Sequence, residues 1–187
     1  MLGVAEKVML LLPDRVGSLF SYASLAQDVQ VSIQTIQKWL YNFERLYIVF
    51  KLKLYTKNIT RSINKRPKYY LWNWADVEDP GARFENFIAS HLLKAAQTWS
   101  ALGLATVEVH YIQDRLNKEV DFLVTKNLKP WFLLEAKGSD VSVSPSLLFF
   151  SKKLGVPGIQ LVEKSNVFQR FESGIVCSAD RWLGLLA

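Results

Sequence analysis

The sequence predicts an α/β fold in two parts. The first is a basic N-terminal domain of helices closed by a strand hairpin. The second is a C-terminal domain in which helices flank a mixed central sheet. Three observations carry this reading. Apolar residues recur at helical spacing up to Phe43 and again from Phe84 to Ala95, while strand-like stretches follow each helical region. The triplet Asp79-Pro80-Gly81 favours a turn between the two patterns. The charge changes at the same place: residues 1–78 carry 11 Lys/Arg against 6 Asp/Glu, and residues 79–187 carry 12 against 11. The expected domains are therefore 1–78 and 79–187.

In the first domain a helix is expected from about Val4 to Leu12, ended by Pro13. "SYASLAQDV" predicts a short second helix with Leu25 and Val29 facing inward. The third helix opens at Ser32, a good N-cap, and places Ile33, Ile36, Leu40 and Phe43 on one face. "IVFKLKLYTK" alternates apolar and basic residues, and "PKYYLWNW" returns as its partner strand. Helix, short helix, turn, longer helix and hairpin is the order of a winged helix-turn-helix.

In such a fold the third helix enters a major groove, and Gln34, Gln37 and Lys38 lie on its polar face. The stretch from Lys51 to Lys68 holds seven Lys/Arg and no acid: Lys51, Lys53, Lys57, Arg61, Lys65, Arg66 and Lys68. These ten residues are the candidate nucleic-acid contacts, with DNA as the expected partner and the wing supplying salt-dependent phosphate contacts. The alternative is a winged helix that serves as a protein–protein module or spacer.

In the second domain "ARFENFIASHLLKAAQTWS" reads as a long helix with Phe84, Phe87, Ile88, Leu92 and Ala95 at core spacing. "ATVEVHYIQD", "KEVDFLVT" and "PWFLLEAK" are three strands with short turns, a meander. Ser144 and Pro145 start another helix. "GIQLV" is a buried strand, and a last helix runs from about Ala179 to Leu185. The order α-β-β-β-α-β puts helices on both sides of a mixed sheet.

Composition excludes several classes. Half of the 187 residues are hydrophobic, enough to build a core. The single cysteine, Cys177, precludes an internal disulfide and fits a reducing cytoplasm. The opening "MLGVAEKVMLLLP" is too short and interrupted to span a bilayer and lacks a cleavage site, so a soluble, cytoplasmic protein without a membrane partner is expected. His91 and His110 have no neighbouring His or Cys at zinc-binding spacing. Trp72, Trp74, Trp131 and Phe149-Phe150 read as packing residues before stacking platforms.

Chemistry concentrates in one constellation. Asp121 interrupts the apolar strand "EVDFLV", where a carboxylate is costly unless a charge compensates it. Glu135 and Lys137 end the next strand and, two apart, share a face. If those strands pair, Asp121 lies beside them, and Glu85 in the first turns of the long helix can pack nearby. A divalent cation or Lys137 would compensate these acids.

Asp121 followed after thirteen residues by Glu135-Ala136-Lys137 resembles the PD-(D/E)XK signature of restriction-endonuclease-like nucleases, with Glu85 as the additional acid. Glu119-Val120 stand where that signature usually has a proline. The whole chain is similar to the C-terminal region of a prokaryotic family of AAA-type ATPases, through its winged helix, "FENFIASHL", "EVDFLV", "EAK" and "LGVPGIQLV". The resemblance implies a restriction-endonuclease-like core and Mg²⁺ (or Mn²⁺) held by Asp121, Glu135, the Ala136 carbonyl and Glu85. It also implies that Lys137 orients the attacking water, and that the product is a cut phosphodiester. No G-x-x-x-x-G-K-[ST] occurs, so ATP hydrolysis is not expected of this chain. A fragment of a larger ATPase and a stand-alone relative both fit; the start directly on a first helix favours the fragment. A second function from another class stays open: a non-catalytic regulatory module that tethers an ATPase to DNA or a partner protein, with the acids and Lys137 as a buried ion-pair cluster.

Overall fold

A computed structural model describes residues 3–56 and 65–186. Helix α1 (Val4–Leu11) opens where the Gly3 N–H donates to the Glu6 carboxylate at 2.6 Å, and it stops ahead of Pro13. Helices α2 (Tyr22–Val29) and α3 (Ile33–Arg45) start at Ser21 and Ser32, whose hydroxyls accept from the Ser24 and Thr35 N–H groups. Leu25, Val29, Ile36, Leu40 and Phe43 are buried between these helices. Ile33 was expected on the same face, but as the first helical residue it is 43% exposed.

Strands β1 (Val49–Leu54) and β2 (Lys68–Leu71) pair antiparallel, as the alternation predicted. Asp79 is the N-cap of helix α4 (Pro80–Ala101), its side chain accepting from the Ala82 N–H at 2.7 Å. The Asp-Pro-Gly triplet that read as a turn therefore starts the helix, with Pro80 at the position where its missing N–H costs nothing. Strands β3 (Val107–Gln113), β4 (Glu119–Lys126) and β5 (Lys129–Lys137) form the expected meander. Helix α5 (Pro145–Leu154) crosses over to β6 (Gly158–Val162), which runs parallel to β5. A hairpin of β7 (Phe168–Phe171) and β8 (Gly174–Ser178), which the sequence pattern did not predict, precedes helix α6 (Ala179–Leu183).

The eight strands of the described residues form one mixed sheet in the order β2-β1-β3-β4-β5-β6-β8-β7. The join between the N-terminal hairpin and the rest is parallel: Lys53 and Leu54 of β1 face His110 and Tyr111 of β3. The Tyr55 N–H extends the pairing by donating to the Tyr111 carbonyl at 2.8 Å. Sheet and core thus run across the division expected at 78/79. One buried cluster contains Leu25, Leu40, Tyr70, Ile88, Leu92, Phe122 and Leu134. A second lies under α5 and contains Leu123, Leu133, Leu147 and Phe150. Leu133 and Leu134 are successive on β5, so α4 and α5 cover opposite faces of the sheet. Fully burying each such side chain contributes about 1.5–3 kcal/mol. Among the described residues no helix is long and apolar enough to cross a membrane.

Candidate active site

The β4–β5 register pairs Phe122 with Leu134, and one step further along it Asp121 meets the end of β5. There the Ala136 N–H donates to Asp121 Oδ2 at 2.9 Å. Glu135 is 5% exposed, and its Oε1 lies 3.1 Å from the Lys137 Nζ, so the two side chains do share a face. Glu135 Oε2 is buried and has no hydrogen-bond partner among the described residues. Desolvation, then the charge of Asp121, pushes the Glu135 carboxyl up to about 7 in spite of Lys137. Burial also raises the Asp121 carboxyl, against the opposing pull of Lys68, the Ala136 N–H and Lys137. For Lys137 burial acts to lower the pKa, but Glu135 and then Asp121 outweigh it, and the ammonium is held charged.

Glu85 reaches the same region from α4, but its carboxylate meets other partners. The Tyr70 hydroxyl donates to Glu85 Oε1 at 2.8 Å, and the Lys68 ammonium stands 3.6 Å from the same oxygen. Lys68 also pairs with Glu119 Oε1 at 2.5 Å and lies over the Tyr111 ring. Desolvation, then Asp121, raises the Glu85 carboxyl to about 8 although Lys68 and Tyr70 oppose the shift. Gly17, at φ +69°, makes room for this group: a Cβ there would stand 2.8 Å from Glu85 Oε1. Asp121 is thus flanked on one side by Glu135 and Lys137 and on the other by Lys68 and its acids. Among the described residues no three His, Cys, Asp or Glu side chains gather closely enough to hold a metal ion. Asp121, Glu135 and Glu85 therefore do not form a common cage, and Glu85 is engaged by the hairpin.

Several of the basic candidates also fall elsewhere than expected. Lys68 is 2% exposed and buried among carboxylates, so it is not on a solvent-facing wing; the pairing of β1 with β3 carries it inward. Lys51 pairs with Glu44 at 2.8 Å. The Arg66 guanidinium donates to the carbonyls of Leu19 and Phe20, which gives it a structural task. Gln34, Gln37, Lys38, Lys53 and Lys65 are exposed. Lys57 and Arg61 lie outside the described residues.

Four residues of the site were not picked out in the sequence. Tyr70 and Glu119 were hidden in strands read only for their pattern. Asn86 is fully buried, and its amide both accepts from the Leu71 N–H and donates to the Leu71 carbonyl, at 2.8 and 2.7 Å. A polar residue between Phe84 and Ile88 on a core-facing helix was the available signal. Gln160, opposite Glu135 on β6, accepts from the Ser144 N–H and donates to the carbonyls of Asp140 and Ser142. It holds the loop that follows Lys137.

Residues 80–181, which supply Glu85, Asp121, Glu135 and Lys137, match the family model described as Domain of unknown function (DUF4143). The chain belongs to the DUF4143 family. This domain is often found in proteins associated with AAA ATPases. Residues 3–75, which supply Lys68 and Tyr70, match a second model, Domain of unknown function (DUF8612). No curated protein and no solved structure matches the chain. In this DUF4143 member the acids of one matched region are therefore neutralised in part by a lysine from the other.

Proposed function

We propose that the chain is a DNA-binding, magnesium-dependent nuclease module of the PD-(D/E)XK type, acting as the C-terminal part of an AAA-type ATPase. In this reading residues 1–78 are a winged helix-turn-helix and residues 79–187 a restriction-endonuclease-like domain. The observation that supports it most is Glu135 Oε2, a buried carboxylate oxygen without a partner among the described residues, beside a second desolvated carboxylate. Such an oxygen is costly unless a cation or donor completes it. Asp121, Glu135 and the Ala136 carbonyl are hard oxygen donors of the kind Mg²⁺ prefers, and they fit it better as a pair with a carbonyl than as a trio with Glu85. When bound, such a cation lowers the pKa of a coordinated water and polarises a phosphate.

The chain's own residues do the rest. The Ala136 N–H fixes the Asp121 carboxylate at the β4–β5 join. Glu135 holds the Lys137 ammonium, which stays protonated, can donate to the attacking water and offsets charge on the phosphate oxygens. In phosphodiester hydrolysis the water oxygen bonds to phosphorus, one ester P–O bond breaks, and the leaving oxygen takes up a proton.

A second reading has its own observation. Lys68 compensates Glu85 and Glu119 without any metal. That favours a non-catalytic module in which an ion-pair cluster fixes the N-terminal part to the sheet, leaving DNA or a partner protein as ligand. Plasmid incubated with Mg²⁺ or Mn²⁺ and the chain, Asp121→Ala or Lys137→Ala separates the two. Nicking by the parent alone, with metal uptake by calorimetry abolished in Asp121→Ala, is the expected result. Absence of both nicking and metal uptake leaves the tether. Binding to duplex DNA is tested through Lys38→Glu, which should flatten the salt dependence by about 0.9 in log–log slope for each phosphate no longer neutralised; an unchanged slope removes α3 from the interface.

A further inference from the structure

An open groove of about 640 Å³ lies between the end of β1, the β3–β4 turn and α5. Its basic residues come from three separate places in the fold. Lys65 precedes β2, Arg115 lies in the turn and Lys153 is on α5. Among the described residues none of these three is ion-paired. The one acid among its described lining residues, Asp114, is occupied in building the turn: its Oδ1 accepts from the N–H groups of Leu116 and Lys118 at 2.8 and 3.0 Å. The lining is largely apolar, with Leu54, Ile112, Leu116 and Leu154 beside the half-buried Tyr55, and Lys153 rests over the ring of the core residue Phe150.

We propose that this groove binds a single strand of nucleic acid, with phosphates on Lys65, Arg115 and Lys153 and a base or sugar against the apolar floor. Cations from three elements around an apolar surface that carries an aromatic ring, here Tyr55, are a combination that holds unpaired strands without reading sequence. The volume suits a nucleotide unit. Continuity with the acidic cluster favours a strand over a free nucleotide. Gln113 lines the groove and also donates to Glu119 Oε2 at 3.0 Å, and Glu119 in turn holds Lys68. A strand leaving the groove past Gln113 would run toward that ion-paired cluster. The inference rests on nucleic acid as the ligand and is independent of cleavage.

Fluorescence anisotropy with a labelled oligothymidylate, in EDTA so that no cutting occurs, tests it on the full chain. Arg115→Glu with Lys153→Glu should weaken binding at least tenfold and lower the salt slope by roughly 0.7 for each phosphate no longer neutralised. Circular dichroism should show an unchanged fold, since both side chains are exposed. Thymidine monophosphate and inorganic phosphate should compete only weakly. Wild-type affinity in the double variant overturns the proposal, as does displacement of the strand by the mononucleotide at equal concentration. A chain that binds the strand but never nicks plasmid upholds this site while the nuclease reading fails, so the two outcomes are separable.

Discussion

The Ala136 N–H donates to the Asp121 carboxylate at 2.9 Å, and this bond holds an acid of β4 against the end of β5, beside Glu135 and Lys137. Burial keeps both carboxylates harder to ionise than in water, and the charge of Asp121 adds to the difficulty at Glu135. The arrangement is costly to the metal-free chain, which is the pattern expected where a charge has a task beyond stability.

Replacing Asp121 by Asn keeps an acceptor for the Ala136 N–H and removes one of the repelling charges. Because the Asp121 carboxyl is shifted upward on balance, ionising it costs more in the folded chain than in the unfolded one. Asp121→Asn should therefore raise metal-free stability at pH 8 and abolish any stabilisation by Mg²⁺. Urea denaturation with and without Mg²⁺ measures both. A variant that is less stable and still responds to Mg²⁺ would contradict the assignment.

The pH profile carries a second prediction. Glu135 is raised from 4.5 to about 7 and Glu85 from 4.5 to about 8, so between those limits the folded chain retains protons that the unfolded chain has released. Stability of the metal-free chain should fall as the pH rises from about 5 to about 8, by a few kcal/mol in total, and then level off. Glu135→Gln should remove the part of the slope centred below pH 7. If a cation binds there, Mg²⁺ protection should grow over the same interval as the carboxylate deprotonates. Thermal melts across that range, in EDTA and in Mg²⁺, would show a flat profile if neither group were buried against charge.

What could be read from the sequence follows from how local each signal is. Asp121 stood out because a carboxylate in an apolar strand demands a partner, and Glu135 with Lys137 because residues two apart share a face. The meander and the serine-capped helices are equally local, since caps and alternation are properties of a few neighbouring residues. Lys68 was misread for the opposite reason. In a run of lysines it looks solvated, and only the parallel pairing of β1 with β3, between residues far apart in the chain, turns it into the cluster. The β7–β8 hairpin escaped because "FQRF" is a short, mostly exposed edge strand with no inward alternation to betray it. Asn86 was visible as a polar residue on a core face, yet its partner is the backbone of Leu71, which carries no side-chain signature.

Lys68 should be among the most sensitive positions of the chain. Its buried ammonium faces Glu85 and Glu119, and Asp121 adds to its field, so the net effect is to hold the proton despite burial. Lys68→Met leaves those acids uncompensated and should cost about 3–5 kcal/mol at pH 8. The penalty should shrink toward pH 5, where Glu85 is neutral. A penalty independent of pH would show that packing of the lysine stem, and not its charge, is what the fold uses.

Asn86 makes the last test. Strand β2 is the edge of the sheet, and the Leu71 N–H and carbonyl would be open to any other strand if the Asn86 amide did not bond both. Asn86→Ala leaves a donor and an acceptor without partners in a buried place, at about 1–3 kcal/mol for each group. A total of about 2–4 kcal/mol is expected by urea denaturation, together with faster hydrogen exchange at the Leu71 amide. Asn86→Asp preserves the acceptor but sets a carboxylate oxygen against the Leu71 carbonyl. It should be worse at pH 8 than at pH 4, where a protonated carboxyl can donate in place of the amide. Since Glu85 precedes Asn86 on α4 and Lys68 shares β2 with Leu71, either variant should also loosen the Lys68–Glu85 pair. Should exchange at Leu71 stay slow in Asn86→Ala, water has replaced the amide, and the edge is held by the surrounding packing.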